Sequence, residues 1–440
     1  MTMENYENGI HDNFVVPQEG EKSEIIKIIG VGGAGSNAVN NMVNMDVRGV
    51  NLVVCNTDLQ ALNNSPVHRK IQLGKMLTCG LGAGNNPSQG RDSAIEAMDD
   101  IQAVLEDNTK MVFVTAGMGG GTGTGAAPVI AKKAKDMGLL TIGIVNIPYG
   151  CEGKPRLRQA IKGAKEMSEC VDSLLVVNTD RVLEMCGESG DLPLVETFNR
   201  CDKVMSDAAR AIAEMIQKHN RINIDFADVQ TAMSDSGCAL MGIAEASGED
   251  RAKEAIEKAL DSPLLNNNDI TGAKYVLVNI TTKSESDLKT SEFKAITTIA
   301  YERAGGEHND LCQVIYGAGS DETLEEGMIR VVVVATGFTS DCFEPVKKMD
   351  VVTIKKGEEK ASTAGTDDEP PTVVEFHNPE MVATDKIIND IYGSGSGVKR
   401  IYNTSSLADA TSIPLDKLTE EELLNIEQHP AYMRRASSAR

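Results

Sequence analysis

The stretch "TAGMGGGTGTGAAPVIAKKAK", Thr115 to Lys135, decides how the chain is read. It follows an apolar run, "KMVFV", interleaves Gly117, Gly119, Gly120, Gly121, Gly123 and Gly125 with Thr122 and Thr124, and leads into a helical pattern whose first turn is expected to hold Pro128. Glycine lets backbone amides approach an anion closely, a helix N-terminus adds positive potential, and threonine hydroxyls add donors or a magnesium contact. A strand, a glycine loop and a helix in that order therefore suit a phosphate chain. An ordinary tight connection is the alternative.

A second loop of the same kind lies upstream in "IIKIIGVGGAGSNAV", Ile25 to Val39, where Gly30, Gly32 and Gly35 fall in G-x-G-x-x-G register. Alone it reads equally as a dinucleotide-binding turn, with Asp58 closing the next apolar run at the place of a ribose-binding carboxylate. That reading leaves "GGGTGTG" unused. A third glycine-rich loop, "CGLGAGNNP" at Cys79 to Pro87, adds to the other two, and three loops on one sheet suggest a surface around a whole phosphate chain. No G-x-x-x-x-G-K-[ST] is present, so amides and helix dipoles rather than a fixed lysine would hold the ligand. A nucleoside triphosphate fits better than NAD.

Composition narrows the class. With 440 residues and 41% hydrophobic content the chain can build two cores, and its longest apolar runs are strand-length and punctuated by glycine, too short for a bilayer span. The polar, acidic start "MTMENYENGIHDNF" lacks the features of a signal peptide, so a cytosolic protein without direct membrane insertion is expected. A net charge of −22 and the lack of a basic stripe argue against nucleic acid. The nine cysteines contain no C-x-x-C pair and read as reduced thiols, and the scattered histidines offer no metal cage.

Strand and helix alternate through the first half. Strands are expected at "EIIKIIGV", "NLVVCNT", "KMVFVTAG", "LLTIGIVNIP" and "DSLLVVNT", with helices over Asn86 to Leu105, Ala126 to Met137 and Leu157 to Cys170. This predicts an α/β, Rossmann-like, mostly parallel sheet covered by helices, with its ligand at the carboxyl ends of the strands. A long helix is expected from about Leu192 to His219. The runs "KYVLVNITT", "LCQVIYGAG" and "GMIRVVVVATGF", with the helical "SEFKAITTIAYERAG" between the first two, then predict a smaller α+β domain.

The expected organisation is a disordered extension over 1–24, a nucleotide-binding domain over 25–191, the long helix and a following loop over 192–225, and a second domain over 226–338. A disordered linker over 339–418, rich in charge, Gly, Ser and Thr, then leads to a peptide over 419–440, where Thr419 and Glu422 fit a capping box.

On the long helix Phe198 and Asp202 lie four apart and share a face, so a ring can stack on a base while a carboxylate accepts from its edge. Guanine presents two adjacent donors there and adenine does not, which favours GTP. A core phenylalanine and a solvated aspartate are the alternative. Asp225 and Asp228, three apart at an expected helix start, read either as a helix cap or as a pair able to act on water. Glu152 and Arg156 in "CEGKPRLR" are otherwise a surface pair at i, i+4.

"GGGTGTG" resembles the signature of the tubulin/FtsZ family, and "GVGGAGSNAV", "GLGAGNNP", "CEGKPR" and "NIDFADVQTAMSDSG" are similar to that family's motifs in family order, from about Ile25 to Phe338. The resemblance implies a tubulin/FtsZ-like fold and a GTPase that polymerises head to tail into filaments and builds the bacterial division ring. It assigns Gly33, Ala34, Gly35, Ser36 and Asn37 to the nucleotide, with Asn37 reaching the base. Gly82, Ala83 and Gly84, together with Gly120, Gly121, Thr122, Gly123 and Thr124, go to the phosphates, Glu152 and Arg156 to the ribose and phosphate edge, and Phe198 and Asp202 to the base. Asn223, Asp225 and Asp228 are implied to enter the next subunit's nucleotide site and orient the attacking water. GTP or GDP with Mg2+ is the implied ligand, and a mid-cell ring beneath the inner membrane the implied location. The last residues, "EQHPAYMRR", depart from the family's usual ending but keep an aromatic and an apolar anchor beside positive charge. Pro430, Tyr432, Met433 and Arg434 are thus expected to bind membrane-anchoring and regulatory division proteins. A nicotinamide-dependent dehydrogenase and a non-hydrolysing scaffold are the competing classes.

Overall fold

The computed structural model describes residues 24–45, 47–180, 182, 194–217, 222–262, 270–306, 309 and 312–338. The N-terminal extension before residue 24, the linker and the C-terminal peptide with Pro430, Tyr432, Met433 and Arg434 lie outside the described residues.

One ten-stranded sheet organises the described chain, in the order β3-β2-β1-β4-β5-β6-β7-β10-β8-β9. The first six, β1 (Ile26–Val31), β2 (Asn51–Asn56), β3 (Arg69–Gln72), β4 (Met111–Gly117), β5 (Leu140–Ile147) and β6 (Ser173–Asn178), are all parallel. Both faces of this part are covered, so its central strands are buried at every position of β1 and β6. Ile26 and Ile28 face a core shared with Val39 and Met42 of α1 (Gly32–Asn44) and Met205, Ala209 and Ile212 of α7 (Leu194–Gln217). Ile29 and Val31 face the opposite core, with Ile101 of α4 (Met98–Glu106), Ile130 of α5 (Thr122–Asp136) and Ile161 of α6 (Lys154–Cys170).

β7 (Gly237–Ser247) joins the second part to the first. It pairs in parallel with β6 only at Ser173–Gly237, Leu174–Cys238 and Leu175–Ala239, then runs antiparallel to β10 (Met328–Thr336) along its whole length. β8 (Tyr275–Thr282) and β9 (Gln313–Ser320) complete the sheet, backed by α9 (Arg251–Leu260) and α10 (Thr290–Arg303) over a third core.

Several elements differ from the sequence expectation. The helix expected over Asn86 to Leu105 is two, α3 (Pro87–Glu96) and α4, separated at Ala97, with Asp99 and Asp100 starting the second where its amide ends favour carboxylates. α5 begins at Thr122, four residues before the expected start, so Pro128 falls inside the helix rather than in its first turn. β3 and β7 were not expected at all. Arg69–Gln72 has one buried residue, Ile71, and "GCALMGIAEAS" is rich in alanine and glycine, so neither carries a strong strand pattern. Tertiary pairing makes them strands.

Candidate nucleotide site

The carboxyl end of β1 runs directly into a helix N-terminus, and that of β4 reaches one through the four residues Met118 to Gly121. α1 starts after Val31 and α5 after Gly121, and neither has a side-chain cap nor an acidic residue in its first turn. α2 (Leu59–Asn64) and α3, beside them, are capped by Asp58 and Asn86. First-turn amides without an intrahelical partner at two adjacent helix starts make a site for an anion. The two starts touch, because a Cβ on Gly32 would sit 2.9 Å from the Gly123 nitrogen.

The glycines of the loops have two different tasks. A Cβ on Gly30 would meet the Gly35 oxygen at 2.3 Å, one on Gly35 the Thr115 oxygen at 2.3 Å, and one on Gly123 the Gly117 oxygen at 2.3 Å. These three let helices press onto strands. Gly33, Gly82, Gly84 and Gly120 have nothing within 4 Å of the same position, so they border open space. The third loop closes against the second: a Cβ on Gly121 would fall 2.9 Å from the Ala83 Cβ and 2.8 Å from the Asn86 nitrogen.

Side chains hold the loops in place. The hydroxyls of Thr57 and Thr122 are 2.7 Å apart, and the Gly119 amide donates to the Thr124 hydroxyl at 2.9 Å, which engages that side chain within its own loop. Gln159 on α6 donates its amide to the Gly119 and Gly120 carbonyls at 3.1 and 3.0 Å. That engages both carbonyl oxygens within the protein. Gln159 was missed by the sequence reading, and a glutamine in the polar run "RLRQA" carries no signal of it. Ser36 in the first turn of α1 is 6% exposed, and its hydroxyl has no hydrogen-bond partner among the described residues. A buried orphan hydroxyl beside unpaired amides fits a phosphate-bearing ligand.

The base-reading candidates come together between α1 and α7. The Asn37 side chain hydrogen-bonds the Asp202 carboxyl, and burial pushes that carboxyl up to about 7 against the opposing effect of Asn37. Both line a solvent-open cavity of about 460 Å3 with Asn41, Asn44, Asn199 and Lys203. Phe198 is 45% exposed and meets Tyr149 edge-on, with ring centroids 5.6 Å apart. Its ring is available for stacking rather than being a core residue. Glu152 accepts from the Tyr149 amide at 3.0 Å and pairs with Arg156 at 3.0 Å, fixing the turn that leads from β5 to α6. Asp180, past the end of β6, accepts from the Gly150 amide at 3.2 Å and was also missed. Asp58 accepts from the Ala61 amide at 3.0 Å as a helix cap, which gives it a structural task apart from the ribose contact of the dehydrogenase reading.

Asn223, Asp225 and Asp228 lie elsewhere. In its first half α7 meets α1 through the bond between Asp202 and Asn37, at its middle the Ser206 hydroxyl donates to the Ala38 carbonyl at 2.8 Å, and at its C-terminal end Gln217 donates to the carbonyl of Gly49, just before the amino end of β2. Its 24 residues span about 36 Å, so it crosses the sheet from the carboxyl to the amino ends of the parallel strands. Asp225 follows that far end. It caps α8 (Phe226–Met233) in a reciprocal capping box with Asp228. The cap reading of the sequence is realised.

Comparison with known proteins places the chain. Residues 25–187 match the model of the Tubulin/FtsZ family GTPase domain and residues 237–339 that of the FtsZ family C-terminal domain. The cell division protein FtsZ of Porphyromonas gingivalis is 46% identical over 318 residues, covering 72% of this chain and 68% of the relative. That of Pseudomonas putida is 42% identical over 360 residues, 81% and 87% of the two chains. Among solved structures, an empty FtsZ dimer from M. jannaschii is 38% identical with a TM-score of 0.65, over 72% of this chain and 89% of that one. CetZ2 from Haloferax volcanii, at 21% identity and a TM-score of 0.60 over 70% and 92%, shares the fold. The fold and its glycine loops define a tubulin-like GTPase. Within that class, the chain belongs to the FtsZ family, whose members act in cell division.

Proposed function

We propose that this chain is a GTP-dependent filament protein of the division ring whose hydrolytic site forms only between successive subunits. One observation carries the reading. α7 separates the glycine loops, Phe198 and Asp202 from Asp225 and Asp228, so a single chain has the groups for binding at one end and the paired carboxylates at the other. Head-to-tail stacking brings Asn223, Asp225 and Asp228 of one copy to the loops of the next, where a carboxylate can orient water toward the terminal phosphate.

Within the pocket, the first-turn amides of α1 and α5, with Ser36 and Thr122, take the phosphates. Gly82, Ala83 and Gly84 close over them, Glu152 and Arg156 flank the ribose, Phe198 stacks on the base, and Asp202 with Asn37 reads its edge. Among the described residues no group of three His, Cys, Asp or Glu side chains is placed to hold a metal. Magnesium would enter with the nucleotide's phosphates, with Thr122 as its candidate hydroxyl contact.

Sedimentation of the full chain with magnesium and GTP, GDP or ATP tests the reading, together with turnover measured against protein concentration. Pelleting with GTP alone and turnover per molecule that rises with concentration are expected. A constant turnover per molecule would remove the shared site.

The same reading gives the C-terminal peptide the role of an adaptor at a ring beneath the membrane. Among the described residues no helix is long and apolar enough to cross a bilayer. Removal of residues 427–440, and Tyr432→Ala alone, should spare polymerisation and abolish or weaken capture by a membrane-anchored partner in a pull-down. Unchanged capture by both would assign attachment to the folded part.

A further inference from the structure

α5 begins at the second glycine loop and ends near the amino end of β6, where Lys135 meets the turn that follows α8. The Lys135 ammonium donates to the Asp235 carboxyl at 2.8 Å and the Val171 carbonyl at 2.9 Å, and lies 3.3 Å from the Asp172 carboxyl. Asp172 is itself bound on both sides, accepting from the Thr141 amide at 2.8 Å and the Asp235 amide at 3.4 Å, while its carbonyl accepts from the Gly237 amide at 3.0 Å. Residues 234–237 are thereby fixed to β5, β6 and α5 together.

That turn is unusual in its backbone. Asp235 has φ +45° and Gly237 φ +71°; aspartate enters the left-handed region more readily than most non-glycine residues, usually with local hydrogen bonds to hold it there. The Asp235 side chain is 82% exposed, so burial does not impose it, and the contacts that fix it are those to Lys135 and Asp172. Burial by itself would lower the pKa of the Lys135 ammonium, yet its bonds to Asp235 and Asp172 raise it.

The turn is short, and α8 is short. From Asp225 to Asp235 the chain passes through the eight residues of α8, Asp228 among them, about 12 Å of helix. α8 has one more polar fastening near the same end, the Thr336 hydroxyl on the Ala232 carbonyl at 2.6 Å. Its N-terminal end carries the two exposed carboxylates. α8 is held along its length by buried Val229, Ala232 and Met233 and ahead of its start by the Ile222–Ala318 bridge, and the clamp at its far end fixes the remaining freedom in where those carboxylates point.

We infer that Lys135 is a positioning residue for hydrolysis: clamped on Asp172 and Asp235, it aims α8 so that Asp225 and Asp228 meet the nucleotide of the neighbouring subunit. The inference rests on the shared-site reading above. It also makes α5 one rigid part with two ends, its N-terminus at its own subunit's phosphates and its C-terminus supporting the carboxylates presented to the next. A change in the loop at Thr122 that moves α5 along its axis is carried to Lys135.

The experiment compares full-length Lys135→Met, Lys135→Arg, Asp235→Asn and Asp225→Ala with the parent. GTP affinity is measured below the assembly threshold and maximal turnover in assembled protein. Lys135→Met should lose about tenfold or more in kcat, the scale of a displaced catalytic group, with monomer affinity for GTP unchanged. Lys135→Arg should restore most of the turnover, and hydrogen exchange across 225–233 should quicken in Lys135→Met. Asp235→Asn, a surface change that keeps the fold, should fall between Lys135→Met and the parent. Parental kcat in both Lys135→Met and Asp235→Asn, or an affinity loss matching the kcat loss, would overturn the clamp. If Lys135→Met does not fold, Asp235→Asn decides in the same way. Parental turnover in Asp225→Ala would instead overturn the shared site itself, so the two failures are told apart.

Discussion

Asp225 and Asp228 hold each other's backbone: the Asp228 amide donates to the Asp225 carboxyl at 2.9 Å, and the Asp225 amide donates to the Asp228 carboxyl at 3.1 Å. One oxygen of each carboxylate is thus engaged in starting α8, which leaves the other oxygen of each unengaged by the cap. Capping and action on water are therefore separable by substitution. Asparagine caps a helix about as well as aspartate. Asp225→Asn should keep the thermal midpoint of the parent while turnover falls by about a hundredfold, a common size for losing a positioned base. Asp225→Ala should lose the same turnover and in addition about 1 kcal/mol of stability. Thermal unfolding and GTP hydrolysis of the two variants check this. Equal turnover in Asp225→Asn and the parent would leave the residue with its cap alone.

Asp202 makes guanine recognition sensitive to pH. A base that donates two hydrogens needs the ionised carboxylate, and burial holds this carboxyl at about 7. GTP affinity should therefore rise with pH through neutrality and level off above it, by about tenfold per unit on the steep part if one proton is released. Asp202→Asn should flatten that dependence and weaken GTP relative to ATP. Titration calorimetry from pH 6 to 8.5 on both proteins removes the contribution of the phosphates, which is common to the two. The sign for folding is the reverse. The folded chain keeps a proton on Asp202 that the unfolded chain releases at 3.8, so this residue's contribution to stability falls as pH rises from 3.8 to about 7 and is constant beyond.

Gly33 and Gly123 should fail in different ways. The space around Gly33 is open, so Gly33→Ala should fold as the parent does and weaken nucleotide binding by intruding on the ligand's side. At Gly123 the added methyl meets the Gly117 oxygen at 2.3 Å, so Gly123→Ala should lose about 1–3 kcal/mol of stability from overpacking. Denaturant unfolding and nucleotide affinity, measured side by side, separate the two. A Gly33→Ala protein with parental affinity would mean the open space at that position is not the ligand's.

Gln159 supports the phosphate loop from behind. Gln159→Leu leaves the Gly119 and Gly120 carbonyls without the donor that holds them. A lost hydrogen bond of this kind is worth about 1 kcal/mol, which predicts about a fivefold weaker GTP affinity with little change in the thermal midpoint. A large fall in that midpoint with unchanged affinity would make Gln159 a packing residue.

Local pattern alone determined much of this protein. The central strands are continuous apolar runs because both their faces are buried, and the glycine loops stand out because few other sequences tolerate so little side chain between a strand and a helix. The motifs at Gly30–Val39, Gly120–Gly125 and Asn223–Gly237 were sufficient to recognise the family, and i, i+4 spacing put Phe198 and Asp202 on one face. Tertiary structure decided the rest. Which glycines admit a neighbouring backbone and which border open space depends on distant parts of the chain, as for Gly35, whose missing Cβ makes room for Thr115. β7 is a strand because β10 pairs with it, against its own composition. Gln159, Asp180 and Lys135 look like ordinary surface residues in the sequence, because what each does is set by a partner brought to it by the sheet. And the separation of Asp225 from the loops follows from α7 crossing the whole sheet, a length readable in the sequence, whereas its direction was not: that comes from Ser206 fastened to Ala38 at mid-helix and Gln217 to Gly49 at the C-terminal end.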